Sequence, residues 1–127
     1  MPFARLTLSH EPSLDQGRQL CTELTDLIAN ELGKRRDLTS VLIEVPGAHR
    51  WTVGADEQPA AAHLEVSVTA GTNSKEEKTA FIASAMSLLR RTLPDLHPAT
   101  YIVVKEHPAT DWGYDGRTQA DRAKGRG

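Results

Sequence analysis

The sequence has little of several residue types, and each shortage excludes a class of protein. Among 127 residues there is one cysteine, Cys21, so no disulfide can form within the chain. We therefore predict a cytoplasmic protein, with Cys21 as a small buried residue on a helix. The formal net charge is only -2, which does not favour a nucleic-acid or membrane-surface partner.

Long apolar runs and cofactor motifs are also lacking. No apolar run approaches the length that spans a membrane, and the first residues do not resemble a signal peptide. The five histidines have no paired metal-ligand spacing, and there is no glycine-rich nucleotide fingerprint. We therefore expect no metal and no cofactor. Aromatic residues make up only 5% of the chain, so the positions of the few present are informative.

What the sequence does contain is an internal duplication. Residues 3–8 alternate like a strand, Ser13 begins a capping-box pattern that predicts a helix, and residues 39–45 predict a second strand. Pro46-Gly47 then starts a turn that leads to Trp51. The apolar residues of this helix recur at helical spacing and predict one buried face. They are Leu20, Cys21, Leu24, Leu27, Ile28 and Leu32.

The second half repeats this order. Residues 64–69 predict a strand, Ser74 begins another capping box, and residues 100–105 predict a second strand before Pro108 and Trp112. The distance from Ser74 back to its counterpart in the first half is 61 positions, and the two tryptophans are separated by the same 61. The first strands keep phase at 60 instead, which places an extra residue in the second strand-helix loop.

These patterns predict the α+β class, with two tandem β-α-β units. The units span residues 2–54 and 63–116, and residues 55–62 link them. Together they form a single domain, residues 1–122, followed by a mobile tail, residues 123–127. We expect a four-stranded sheet with two helices on one face. Because the strands also carry apolar residues for the other face, we expect a homo-oligomer.

The order of motifs resembles a known family. Met-Pro at the start, a capped helix, and a strand that ends in Glu-Val-Pro before Trp51 resemble 4-oxalocrotonate tautomerase. The segments AGTNSKEEK (70–78) and KEHPATDWGYDG (105–116) resemble a second copy of the same unit. The chain is thus similar to a fused two-unit member of the tautomerase superfamily. That resemblance implies the tautomerase/MIF-like fold and, as in other fused members, a homotrimer.

The resemblance also implies that Pro2 is the catalytic residue. Once Met1 is removed, proline presents a secondary amine, and an α-amino group titrates near pH 7.7–8.0 in model peptides. Burial or nearby cations lower that value further, which suits general acid-base catalysis. The counterpart of Pro2 in the second unit is Ala62 by strand phase, or His63 by helix spacing, and neither has a free amine.

The arginines that grip substrate carboxylates in the resembled tautomerases are missing here. Their loop position falls on Pro12 in the first unit, and on Thr72 or Asn73 in the second. Their strand position falls near residues 40–42 and on Tyr101. Tyr101 is similar in placement to a tyrosine of the cis-3-chloroacrylic acid dehalogenase group, where a phenol helps to hold substrate or water. We take Asn73 and Tyr101 as candidate substrate-binding residues.

Other arginines can replace the missing pair, because a guanidinium binds a carboxylate bidentately. We predict that Arg36 or Arg117 lies near Pro2 in the assembled trimer, although surface arginines are commonly only solvated charges. Trp51 and Trp112 occupy positions where the resembled enzymes have an aromatic wall beside the proline, and the alternative role for both is hinge packing between the second strand and the terminal hairpin. Two further candidates for the carboxylate are Arg35 and Arg50.

The leading hypothesis is a proline-dependent tautomerase or isomerase of a small enol or 2-oxo acid, most simply a carboxylate. A second hypothesis is hydration, dehalogenation or decarboxylation by the same amine kept protonated, with Tyr101 positioning water. A third is a duplicated scaffold that has lost catalysis and acts only by binding or assembly. The missing arginines favour that third hypothesis somewhat.

Overall fold

Two strand-helix-strand units follow one another in the structure, a computed structural model that describes residues 2–125. The first unit consists of β1 (Phe3–Leu8), α1 (Leu14–Glu31) and β2 (Ser40–Glu44). The second consists of β3 (Ala62–Thr69), α2 (Lys75–Thr92) and β4 (Tyr101–His107). The chain then forms a hairpin of β5 (Gly113–Tyr114) and β6 (Arg117–Thr118), followed by α3 (Gln119–Lys124). The predicted α+β class and tandem β-α-β units are confirmed.

Both long helices begin at the capping boxes that the sequence predicts. The Ser13 hydroxyl accepts from the Gln16 amide at 3.1 Å, and the Gln16 side chain accepts from the Ser13 amide at 2.9 Å. Ser74 and Glu77 repeat this exchange at 3.1 and 2.8 Å. Two orphan amides are thereby satisfied at each helix start. Gly33 has a φ of 64° just after α1, the left-handed conformation that ends a helix without a Cβ penalty.

The four strands form one sheet in the order β2-β1-β3-β4. Each unit pairs its own strands in parallel, and the units join through the antiparallel pair β1 and β3. The two units therefore run in opposite directions across the sheet. We call the end of the sheet at which β1 begins and β3 ends the Pro2 end. The opposite end, at which β3 begins and β1 ends, is called the His63 end.

The core lies between the sheet and the two helices, which pack against one face side by side. Alternate strand residues and one stripe of each helix are buried there, as their periodicity predicts. The largest fully buried side chains are Phe81, Leu6, Leu8, Leu20, Leu24, Ile28, Leu32, Leu64, Leu88, Leu89, Val66 and Val68. Cys21 lies on α1 but is only partly buried, at the margin of this stripe.

The open face of the sheet is less apolar than the sequence suggests. Two cross-strand ion pairs lie on it, Arg5 Nε to Glu44 Oε1 at 3.4 Å and Lys105 Nζ to Glu65 Oε1 at 3.3 Å. The alternation of residues along each strand does not by itself predict these ion pairs, because it shows only that charged residues lie between apolar ones. Four large side chains remain exposed around the charges: Phe3, Leu42, Val103 and Tyr101, at 37, 39, 37 and 70%.

A two-residue turn of the same type follows each tryptophan. Asp115 and Gly116 connect β5 to β6 with φ values of 51° and 79°. Gly54 and Ala55, which lie 61 positions earlier, have φ values of 62° and 71° in a bridge between Val53 and Asp56. Two successive positive φ values characterise the type I′ turn of β-hairpins. The first unit thus keeps a small version of the terminal hairpin.

The ends of the predicted segments differ slightly from the observed ones. The last residue of the predicted linker, Ala62, is already the first of β3. Ala123 and Lys124, which the sequence assigns to a mobile tail, are the last residues of α3, whose N-cap Thr118 accepts from the Asp121 amide at 3.0 Å. Residues 126 and 127 of that tail lie outside the described part. Between residues 2 and 125, no helix is both long and apolar enough to cross a membrane.

Candidate active site

Pro2 lies directly before β1, at one end of the two central strands. It is buried, and its carbonyl accepts the Ser40 amide at 3.3 Å, which continues the β1–β2 pairing by one step. Because Phe3 pairs with Ser67 in the antiparallel register, the end of β3 flanks Pro2 on the other side. The start of β1 is therefore held by both neighbouring strands. Met1 lies outside the described residues.

A hydrogen-bonded aromatic cluster occupies the Pro2 end. Trp112 donates its indole N–H to the Thr69 hydroxyl at 3.1 Å. The His107 ring lies 5.0 Å from the Trp112 ring at 37°, and its Nε2 is 2.9 Å from the Ser67 hydroxyl. Thr69 and His107 are the last residues of β3 and β4 and pair with each other. Trp112 is thereby fixed over the end of the sheet where Pro2 begins.

Cationic and amide groups line a cavity of about 290 Å³ at this same end. Lys34 and Arg35, from the loop after α1, face Thr69 of β3 and Gln119 of α3 across it. The Gln119 side-chain nitrogen is buried and finds no acceptor among the described residues. The Arg35 guanidinium already pairs with the Asp37 carboxylate at 2.6 Å, so Lys34 and Gln119 are the N–H-bearing groups left for an anion, although Pro2 itself does not line this cavity.

Nearby carboxylates add local electrostatic effects. Lys34 donates to the Thr72 hydroxyl at 2.7 Å, and burial lowers its pKa, which the carboxylates of Glu77 and Glu106 partly oppose. A hydrogen bond from Lys78, followed by one from the Gly71 amide, holds the pKa of Glu106 below its usual value. Lys34 therefore lies near carboxylates that already accept hydrogen bonds from other groups.

Three of the predicted binding residues are engaged elsewhere within the chain. Arg36 Nε contacts Asp26 Oδ1 of α1 at 2.8 Å, and Arg117 donates to the Asp121 carbonyl at 3.3 Å. Asn73 donates its amide to the Leu32 carbonyl at 2.9 Å and so ties the second loop to the end of α1. The predicted approach of Arg36 or Arg117 to Pro2 concerns the assembled trimer and stays a prediction.

Tyr101, which we expected beside Pro2, lies at the His63 end of the same chain. It is the first residue of β4 and pairs with His63, whereas His107, six residues later, lies at the Pro2 end. Six strand residues span about 20 Å. Tyr101 and Trp51 instead line a cavity of about 580 Å³ at the His63 end, with Arg50 beside them. Within one chain, therefore, only Trp112 of the three predicted aromatic residues accompanies Pro2.

Sequence reasoning missed two of the groups at the Pro2 end. Lys34 follows Gly33 directly, so its position after the helix was visible, but lysine was not considered as a carboxylate ligand. Gln119 lay in a polar segment without periodicity, and nothing in the sequence distinguishes it from its neighbours. In the described part of the chain, no group of three or more His, Cys, Asp or Glu side chains is arranged to hold a metal ion.

Comparison with solved structures shows what the fold is. No protein-family model and no curated protein sequence matches the chain. It is similar to the crystal structure of native fused 4-OT, with a TM-score of 0.85 and 24% identity over 98% of this chain and 99% of that one. The chain has the tautomerase fold, in its fused two-unit form. The predicted fold resemblance is confirmed.

Two further structures with the tautomerase fold differ in kind. A fused 4-OT described as a wild-type asymmetric trimer has a TM-score of 0.82 and 22% identity, over 98% of this chain and 99% of that one. A macrophage migration inhibitory factor-like protein from Entamoeba histolytica has a TM-score of 0.78 and 18% identity, over 92% and 97%. Both matches cover more than nine-tenths of this chain.

Proposed function

We propose that this chain is a tautomerase or isomerase of a small enol or 2-oxo acid, with the amine of Pro2 as the general acid-base. One observation carries the proposal: Pro2 is buried at the start of a central strand of a tautomerase fold, where its carbonyl accepts the Ser40 amide and the end of β3 flanks it. A proline on a loose terminal segment would have no fixed relation to a substrate. Removal of Met1 is part of the proposal.

The chemistry follows from a secondary amine in this setting. As the neutral base it takes a proton from carbon beside a carbonyl, and as the ammonium it returns that proton elsewhere on the conjugated system. An α-amino group titrates near pH 7.7–8.0 in model peptides, and the burial of Pro2 disfavours the charged ammonium, so a share of free base is expected near neutral pH. No cofactor takes part in these steps.

The groups at the Pro2 end support an anionic substrate. Lys34 and Gln119 offer donors around one cavity, which suits a carboxylate better than a neutral ligand. The Trp112 ring, held by Thr69, offers a flat apolar wall for a planar enol. In this proposal Lys34 and Gln119 take the role within one chain that the sequence assigned to Arg36 and Arg117, which remain candidates from a neighbouring chain.

Tautomerisation is favoured over hydration or dehalogenation by the position of Tyr101. Chemistry that adds water needs a side chain that positions the water beside the amine. Tyr101 lies at the opposite end of the sheet within its own chain. Proton transfer alone needs only the amine and a bound substrate, which is what we propose for the Pro2 end.

We further propose a homotrimer. The open face of the sheet leaves Phe3, Leu42 and Val103 exposed, and a fused 4-OT of the same fold is described as a trimer. A trimer buries these side chains, which is favourable in proportion to the apolar area removed from water. Sedimentation velocity at micromolar concentration should give a single species of three chains, and a stable monomer would contradict the trimer.

The test of the amine compares two forms of the protein that differ only before Pro2. One begins at Pro2, as checked by intact mass, and the other retains an additional residue that turns the amine into an amide. The free form should ketonise phenylenolpyruvate about 10²–10⁴-fold faster than the blocked form, the usual contribution of a positioned acid-base. Pro2→Ala keeps a primary amine and should keep part of the rate.

Arg90→Gln serves as the control, because Arg90 is exposed on α2, on the far side of the core from the sheet. It should ketonise phenylenolpyruvate at the parent rate. Equal rates for the free and blocked forms would show that Pro2 is not the catalyst and would end the proposed mechanism.

A further inference from the structure

The His63 end contains a larger cavity than the Pro2 end, about 580 Å³ against about 290 Å³. It lies where β1 ends and where β3 and β4 begin, and the segment after β2 closes one side of it. Its volume falls within the range of small-molecule sites, which is about 300–1,000 Å³. Nothing in the proposed proline chemistry uses this cavity.

The walls of the cavity are mainly apolar and include two aromatic rings. Trp51 lies on one wall, from the segment that leaves β2, and Tyr101 lies on another, from the start of β4. Small apolar side chains fill the space between them: Pro46, Val53, Ala62 and Ala99. Aromatic and apolar walls with few polar groups favour a planar ligand over a sugar or a bare inorganic ion.

One cation lines the cavity, and no carboxylate does. Arg50 is exposed there, and its guanidinium makes no hydrogen bond or ion pair with any residue between 2 and 125. The neighbouring acids already have partners, since Glu44 pairs with Arg5 and Glu57 with His49. Arg50 therefore offers a positive charge and a planar set of donors to whatever enters, which suits a carboxylate.

Three further polar groups converge on the same space. Thr7, His63 and Tyr101 pair in one row across β1, β3 and β4. Within the described chain none of their side chains takes part in a hydrogen bond, whereas Trp112, Thr69, His107 and Ser67 at the other end all do. The His63 end therefore leaves polar side chains available to a ligand, while the Pro2 end has an internally bonded aromatic cluster.

We infer that this cavity is a second binding site, for a small aromatic or conjugated monocarboxylate. Arg50 binds the carboxylate, and the planar part of the ligand lies against Trp51 and Tyr101. The main-chain nitrogens of Ala62 and His63 are both peptide nitrogens, so the site has no terminal amine to act as an acid-base. The inference does not depend on catalysis at Pro2.

The test uses trans-cinnamate as the probe and the two tryptophans as reporters. The chain has two tryptophans, Trp51 and Trp112, and each lies at one end of the sheet. Their indole N–H signals in a ¹H–¹⁵N spectrum are assigned by Trp51→Phe and Trp112→Phe. The titration is made on protein whose Pro2 amine is blocked by a retained residue, and calorimetry supplies the dissociation constant.

Saturable binding should shift the Trp51 signal and leave the Trp112 signal in place. Arg50→Gln should weaken cinnamate binding by about tenfold to a hundredfold, the usual loss when a charged hydrogen-bond partner is removed. Neutral cinnamamide should bind the parent more weakly by a similar factor, and Arg50→Gln should barely change its affinity. Arg90→Gln, an exposed arginine on α2, should bind cinnamate like the parent.

Three results would overturn the inference. Absence of saturable binding excludes the ligand class, and equal affinities for the parent and Arg50→Gln exclude the guanidinium as its partner. A shift of the Trp112 signal in place of the Trp51 signal assigns the probe to the Pro2 end. A failure to ketonise phenylenolpyruvate leaves all three results unaffected, so the two proposals fail separately.

Discussion

The two ends of the sheet are built from duplicated elements but differ in their side-chain contacts and in the size of their cavities. Each has a tryptophan followed by a type I′ turn, and 61 positions separate the members of each pair. At the Pro2 end, Trp112 is bonded to Thr69 and packed on His107. At the His63 end, Trp51 lines a cavity twice as large, beside Arg50, which is unpaired within the described chain.

That difference separates the scaffold from the chemistry. Caps, turns and the apolar stripes of both helices are repeated, because each unit must fold and pack in the same way. Only the first unit can present a terminal amine, and only the Pro2 end surrounds its cavity with Lys34, Arg35 and Gln119. In the proposed mechanism only the Pro2 end holds the base, so substitutions at the other end do not affect that chemistry.

The largest expected effect distinguishes the two tryptophans. Trp112→Ala removes the hydrogen bond to Thr69 and the apolar wall proposed for the substrate at the Pro2 end, so kcat/KM for phenylenolpyruvate should fall about tenfold to a hundredfold, as expected when a substrate is less well positioned. Trp51→Ala should act mainly on cinnamate affinity and lower kcat/KM much less. Steady-state kinetics on both variants, with folding checked by circular dichroism, provides the measurement. Equal losses in kcat/KM would remove the functional distinction between the ends.

A smaller effect is expected at the two turns. Gly116→Ala places a Cβ at a φ of 79° and should lower the free energy of unfolding by about 1–2 kcal/mol. Ala55 already occupies the matching position at 71°, so Ala55→Gly should relieve strain and change stability by less than about 1 kcal/mol in the stabilising direction. Urea denaturation of both variants measures the pair. Destabilisation by Ala55→Gly would show that its turn is not strained.

The smallest effect concerns pH at the Pro2 end. The pKa of Glu106 is lowered from the ordinary 4.5, first by the hydrogen bond from Lys78. The Glu106 carboxylate therefore stabilises the folded protein above its ordinary pKa. That stabilisation is lost as the pH falls through the lower pKa that Glu106 has in the folded state. Glu106→Gln should make stability depend less steeply on pH on the acid side. Glu11→Gln, at an exposed site before α1, is the control. Parallel acid limbs for the parent and Glu106→Gln would contradict this assignment.

Sequence periodicity was sufficient to predict the helices and strands, but it did not predict how the two units pair in the sheet. The capping residues Ser13 and Ser74 start both helices as predicted, because their hydrogen bonds are local. Tyr101 was expected beside Pro2, and the antiparallel pairing of β1 with β3 places it at the far end. That pairing depends on contacts between residues about 60 positions apart, and no local pattern records them.

The candidate site was predictable to the same limited extent. Pro2 and Trp112 could be selected because a terminal amine and a rare aromatic residue are distinctive in themselves. Gln119 could not, because its importance comes only from being buried without an acceptor among the described residues. Asn73 was selected by its alignment with a binding loop, yet its amide holds the Leu32 carbonyl.

The charged residues on the open face of the sheet affect how the two halves of the chain pair with each other. Arg5 lies directly opposite Glu65 in the antiparallel register, and these two positions are equivalent in the duplication. Two copies of the first half joined in this way would set arginine against arginine, and two copies of the second would set glutamate against glutamate. Like charges directly opposite across strands are destabilising. Divergence at one position has thus made each half the preferred complement of the other and a poor partner for itself.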